Sequence, residues 1–166
     1  MKKLFLFVAF IATSFTQHIF AQNARPTAMA PLLSSYYDIK NALVSSNSTD
    51  AAMHAGEFLK AVDAVNVKSL PAADMSLFMS LKDKLDFDAR HMSESKDIAH
   101  QREHFANFSA NFFKLSKAVK LTDQAVYYDY CPMKKSYWLS ADAGIKNPYF
   151  GNQMLTCGSI TETLNK

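Results

Sequence analysis

Between Pro71 and Pro132 the chain has neither a glycine nor a proline. These two residues most weaken or end helices, so a stretch this long without them favours long helices. Every later proline and glycine falls within residues 131–158. The chain therefore divides into a helical body and a turn-rich C-terminal segment.

Apolar spacing supports the helical body. Leu32, Tyr36, Ile39 and Leu43 recur at steps of four and three, which is helical periodicity, after Pro31 in a first helical turn. The run Ser45-Ser46-Asn47-Ser48 breaks that stripe, and Ser48 or Thr49 can cap a second helix. Its stripe is Ala51, Ala55, Phe58, Val62 and Val65. Pro71 opens a third, with Phe78, Leu81 and Leu85, extended to Met92. Ser93-Glu94-Ser95 reads as a joint. The fourth stripe is Ile98, Phe105, Phe108, Phe112, Leu115 and Val119. Four amphipathic helices with short joints predict an all-α, antiparallel four-helix bundle. Phe58, Leu85, Phe105, Phe108 and Phe112 should meet in its core.

After Thr122 the pattern changes. Val126, Tyr128 and Tyr130 alternate with Tyr127 and Asp129, a sign of a short extended segment. Asn147-Pro148-Tyr149-Phe150-Gly151 is a turn signal. Asn152 to Cys157 is predicted as a short helix ended by Gly158. Residues 122–166 are expected to form an irregular cap carrying cysteine and methionine. The cap has too few apolar residues for a core of its own, so Trp138, Tyr149 and Phe150 should lie against the helices.

The N-terminus reads as an export signal. Met1-Lys2-Lys3 is basic, Leu4 to Ala12 is apolar, and Ala21 offers a small residue for cleavage before Gln22. The apolar run is too short to span a bilayer. The expected organisation is a signal over 1–21, a flexible leader over 22–30 and a single domain over 31–166. Cleavage places the chain in the periplasm with no membrane segment left in the mature form. Losing Lys2 and Lys3 lowers the formal charge from +3 to about +1, which argues against nucleic acid as a partner.

The residues that suggest chemistry are sulfurs. The chain has two cysteines. Cys131-Pro132-Met133 is answered by Met154-Leu155-Thr156-Cys157-Gly158. In an extended strand Cys131 and Met133 point to one side. In a helix Met154 and Cys157, three apart, share a face. Two thiolates and two thioethers meeting at one point would suit a soft ion, copper(I) or silver(I), and suit zinc less. Two cysteines in an exported chain equally suit a disulfide, which composition alone favours. His54, at the edge of the second helix's apolar face, and His104 are added metal candidates, although His104, like His100, reads more simply as a solvated helix residue. His100 and His104 are one helical turn apart, and His91-Met92 is a further pair. Met75 and Met79 read as core filler, and Arg102 as a partner for a carboxylate in the bundle. No phosphate-binding loop, nucleophile motif or metalloprotease helix is present, and the chain reads as a binder rather than an enzyme.

The segments Tyr130-Cys131-Pro132-Met133, Trp138-Leu139-Ser140, Ile145 to Gly151 and Met154 to Gly158 resemble the bacterial exported family called domain of unknown function 3347. Asp97-Ile98, Gln101-Arg102, Phe105 and Ser109 resemble its helical part. The resemblance implies periplasmic handling of copper or silver, since relatives occur attached to heavy-metal efflux adaptors. Cys-Pro-Met is also similar to the start of small heavy-metal-binding domains, but these place a histidine where Lys134 stands. The function expected is a copper(I) or silver(I) chaperone, buffer or efflux accessory, with Cys131, Met133, Met154 and Cys157 as ligands. The rival is a disulfide-stapled domain that docks an efflux adaptor or another envelope partner.

Overall fold

The structure is a computed structural model and describes residues 28–165. The predicted signal at 1–21 and residues 22–27 of the predicted leader lie outside the described residues. At the end of that leader Met29 is already buried in the core, and its carbonyl accepts a hydrogen bond from Leu32 N–H at 3.0 Å.

Four helices follow: α1 (Ala30–Val44), α2 (Ser48–Asp63), α3 (Ala72–Glu94) and α4 (Ile98–Ala118). Pro31 sits in the first turn of α1, where its missing N–H costs nothing. Asn47 caps α2, its side-chain oxygen accepting from Asp50 N–H at 3.1 Å, one residue before the expected cap. Asp97 caps α4 through Ala99 N–H at 2.9 Å. Each helix packs on the next, α1 on α2, α2 on α3 and α3 on α4.

The predicted stripes are the core. Every position named in them is buried except Ile98, which packs partly buried against the rest. Phe58 meets Phe108 edge-on at 4.7 Å between ring centroids, and Phe112 at 5.8 Å. Tyr36 of α1 stacks along α4 on Phe105, Phe108 and Phe112. Met75 and Met79 are exposed rather than core filler. They lie near the start of α3, off the face that Phe78, Leu81 and Leu85 turn inward.

The C-terminal cap is a sheet, not an irregular segment. β1 (Val126–Cys131), β2 (Ser136–Ser140) and β3 (Ser159–Leu164) form an antiparallel sheet in the order β2-β1-β3. A register shift at Tyr128/Asp129 in the β1–β3 pairing interrupts simple alternation, so β1 buries Val126, Asp129 and Cys131 rather than every second residue from Val126. The helix expected over 152–157 is also absent. A 3₁₀ turn at Gly151–Gln153 leads into a turn that ends at Cys157, whose N–H donates to Met154 O at 3.0 Å.

The sheet packs on the helices, β2 mainly against α4. Trp138 is fully buried, and the Tyr149 ring lies 5.9 Å from Phe105. Phe150 is partly buried against the same core. Arg102 fastens this junction without any carboxylate. Its Nε donates to Pro148 O at 2.8 Å, and its Nη2 to Leu43 O at 3.0 Å and Ser46 Oγ at 2.8 Å. Gly151 (φ +54°) lets this happen, because a Cβ there would lie 2.8 Å from Arg102 Nη2. Among the described residues no helix is long and apolar enough to cross a membrane.

Candidate metal centres

Among the described residues two groups of metal-ligating side chains come together, one in the cap and one at the α3–α4 joint. The first is the pair of cysteines. β1 delivers Cys131, fully buried, at the strand's end. The chain then turns through 132–135, with Lys135 N–H on Cys131 O at 2.8 Å and Lys134 N–H directed at Cys131 Sγ at 3.4 Å. Cys157 arrives from the other direction and is only partly buried. Asn147 fixes its backbone: Nδ2 donates to Cys157 O at 2.6 Å, while Asn147 N–H holds Leu155 O at 2.8 Å. Gly158 (φ +152°) lets the chain pass Trp138, whose Cη2 a Cβ would approach to 2.7 Å.

Both cysteines are free thiols, close enough for each to bear on the other's ionisation. Partial burial and the neighbouring Cys131 thiol together push the Cys157 thiol above its ordinary pKa. Cys157 is therefore a protonated, unactivated thiol at neutral pH, unlike the low-pKa cysteines of catalytic sites. Met133 lies on the exposed turn two residues beyond Cys131, and Met154 is the partly buried residue whose carbonyl Cys157 N–H caps.

The second group is histidine. The short joint at 95–97 folds the last turn of α3 onto the first turns of α4, and His91, His100 and His104 converge there. One nitrogen from each lies within 4.8 Å of the others, and all three residues are partly buried. The His91 and His104 rings stack at 4.5 Å, and His100 meets His104 at 4.6 Å. Behind them stands Asp88, buried in α3, whose Oδ1 is 2.9 Å from His104 Nδ1. Burial raises the Asp88 pKa, and the His104 hydrogen bond pulls it back down.

The sequence candidates thus separate. Cys131 and Cys157 meet. His104 belongs with His91 and His100, while Arg102, two residues away and about 200° around the helix, faces the cap. His54 pairs with Glu57 at 2.8 Å beside a groove that Asp38, Asn41 and Asp50 also line. The His100–His104 spacing was visible in the sequence. His91 and Asp88 were harder to find because they come from another helix across the joint.

A family model described as "Protein of unknown function (DUF3347)" matches residues 32–124. The chain belongs to this DUF3347 family. The matched span holds α2, α3, α4 and all but the first two residues of α1, and with them His54, His91, His100 and His104. It ends before β1, so Cys131, Met133, Met154 and Cys157 lie beyond it. No curated protein and no solved structure matches this DUF3347 chain.

Proposed function

We propose that this DUF3347 protein is an exported, non-enzymatic binder of a soft metal ion, copper(I) or silver(I). It would act as a chaperone, a buffer or an accessory to an efflux adaptor. Cys131 and Cys157 supply thiolates, and Met133 and Met154 supply neutral thioethers. The observation that carries the reading is the closeness of two free thiols delivered by separate segments of the cap. Thiolate and thioether donors favour copper(I) among the ions an exported protein meets. Because Cys157 starts protonated, metal must displace a proton, and affinity should fall as pH falls.

The test is a copper(I) competition titration of the mature chain against a chromogenic chelator under strict reduction. One ion should bind per chain. Cys131→Ser and Cys157→Ser should each weaken binding strongly, and Met133→Leu and Met154→Leu less, since a thioether brings no charge. Equal affinity in the parent and the double cysteine variant would rule the site out. A second reading rests on the same closeness: neighbouring thiols in an oxidising compartment can close a disulfide and leave an interaction domain. Free-thiol titration with and without reductant separates the two, because only the disulfide form gains thiols on reduction.

A further inference from the structure

We propose that His91, His100 and His104 form a second metal site at the α3–α4 joint, for a divalent borderline ion such as copper(II) or zinc(II). Three observations carry it. One nitrogen from each ring already lies within 4.8 Å of the other two, so three donors can share one ion once the rings turn to face it. Asp88 engages His104 Nδ1 at 2.9 Å. A carboxylate on Nδ1 leaves Nε2 of that ring as its free ligand atom. A carboxylate behind a ligating imidazole is a recurrent means of orienting it and raising its basicity.

The third observation is rigidity. His91 and Asp88 share one face of the last turns of α3, and His100 and His104 are one turn apart on α4. Gln101, fully buried, pins the intervening backbone: its two Nε2 protons are shared among Met92 O and Ser95 O of the joint and Ser48 O at the start of α2. Ser95 Oγ accepts from Asp97 N–H at 3.1 Å, and Asp97 caps α4. Phe87 covers one side, its ring 4.4 Å from His91 and 5.8 Å from His104. Partial exposure leaves a fourth position to water or an incoming ligand, the arrangement of open three-histidine sites.

Imidazole nitrogen suits copper(II) and zinc(II), and copper(II) binds the more tightly of the two in a given nitrogen site. This site is chemically distinct from the thiol pair and lies at the α3–α4 joint rather than in the cap. It needs neither cysteine, so its success or failure is read separately from the proposed copper(I) site.

The experiment uses the full mature chain, purified without a polyhistidine tag and carrying Cys131→Ser and Cys157→Ser. Copper(II) and zinc(II) are titrated by calorimetry, with cobalt(II) absorption as a reporter of geometry. One ion per chain is expected, with copper(II) the tighter. His91→Ala, His100→Ala and His104→Ala should each lower affinity at least about tenfold, and Asp88→Asn about 10–100-fold with stoichiometry kept. His54→Ala should change nothing. Zinc should raise the thermal midpoint of the parent and not of His104→Ala. Affinity unchanged in the triple histidine variant overturns the proposal. If that variant does not fold, imidazole NMR of the parent decides. Zinc must shift the His91, His100 and His104 signals. A shift at His54 alone overturns the proposal.

Discussion

At the scale of the residue, Asp129 is the most exposed to chemistry by being the least exposed to water. It is fully buried, and among the described residues neither carboxylate oxygen has a hydrogen-bond partner, nor has the indole Nε1 of Trp138, its partner across β1 and β2. Burial pushes its pKa up to about 6, and the positive charge of buried Lys40 pulls against that. The native state therefore favours the neutral acid. Ionising Asp129 carries no penalty below its unfolded pKa, about 3.9, and the full penalty above about 6. Stability should fall as pH rises through this window. Asp129→Asn should flatten the slope and stabilise the protein at pH 7.5 by at most about 3 kcal/mol, a figure already net of the attraction to Lys40. Urea unfolding of parent and variant at pH 4.5 and 7.5 gives the answer. Subtracting the two removes Asp88, whose pKa is raised with the same sign. A variant less stable than the parent at pH 7.5 would show that the Lys40 pairing outweighs the desolvation.

At the scale of the element, Tyr36 joins three pieces of structure through one hydroxyl. That oxygen lies 2.7 Å from Ser109 Oγ in α4 and accepts from Leu139 N–H in β2 at 2.9 Å, while the ring stacks 4.8 Å from Phe112. Tyr36→Phe keeps the ring and strands a buried hydroxyl and a buried N–H. It should cost about 1–3 kcal/mol in chemical denaturation, whereas a surface tyrosine would lose almost nothing. A loss below that range would mean that Ser109 and Leu139 find other partners. The sequence placed Tyr36 in the core through its helical spacing, but spacing cannot show a bond between residues 73 and 103 positions apart. The same limit explains the sheet. Trp138, Leu139 and Ser140 are all buried, so β2 shows no alternation, and β3 is an edge strand with no fully buried residue, exposed in its first half and partly buried in its second. The four helices were legible because each buries one continuous stripe. The cysteine pair was legible because both halves carry the same residue types. The three-histidine cluster was only half legible, because its third ring arrives from α3.

At the scale of the whole molecule, what matters is whether the sheet and the helices stand or fall together. The links are numerous and buried. Tyr36 holds β2, Arg102 holds the Pro148 carbonyl, and Tyr149 packs on Phe105 and donates to Tyr137 O. Val126, Trp138 and Leu139 are buried in the same core as the helices, so a three-stranded sheet has little stability of its own to fall back on. The chain supplies a convenient reporter. Its single tryptophan, Trp138, is fully buried in the cap, while far-UV circular dichroism is dominated by α1 to α4. Tryptophan fluorescence and circular dichroism should therefore trace one coincident urea transition with the same midpoint and slope, the signature of a single cooperative unit. Cutting the chain after Thr122 should then lower the thermal midpoint of the helices, because Tyr36, Phe105 and Arg102 all lose partners. Separate fluorescence and dichroism midpoints, or a truncated chain as stable as the parent, would mean that the cap is an independent tail. In that case the thiols it carries would not be held by the bundle.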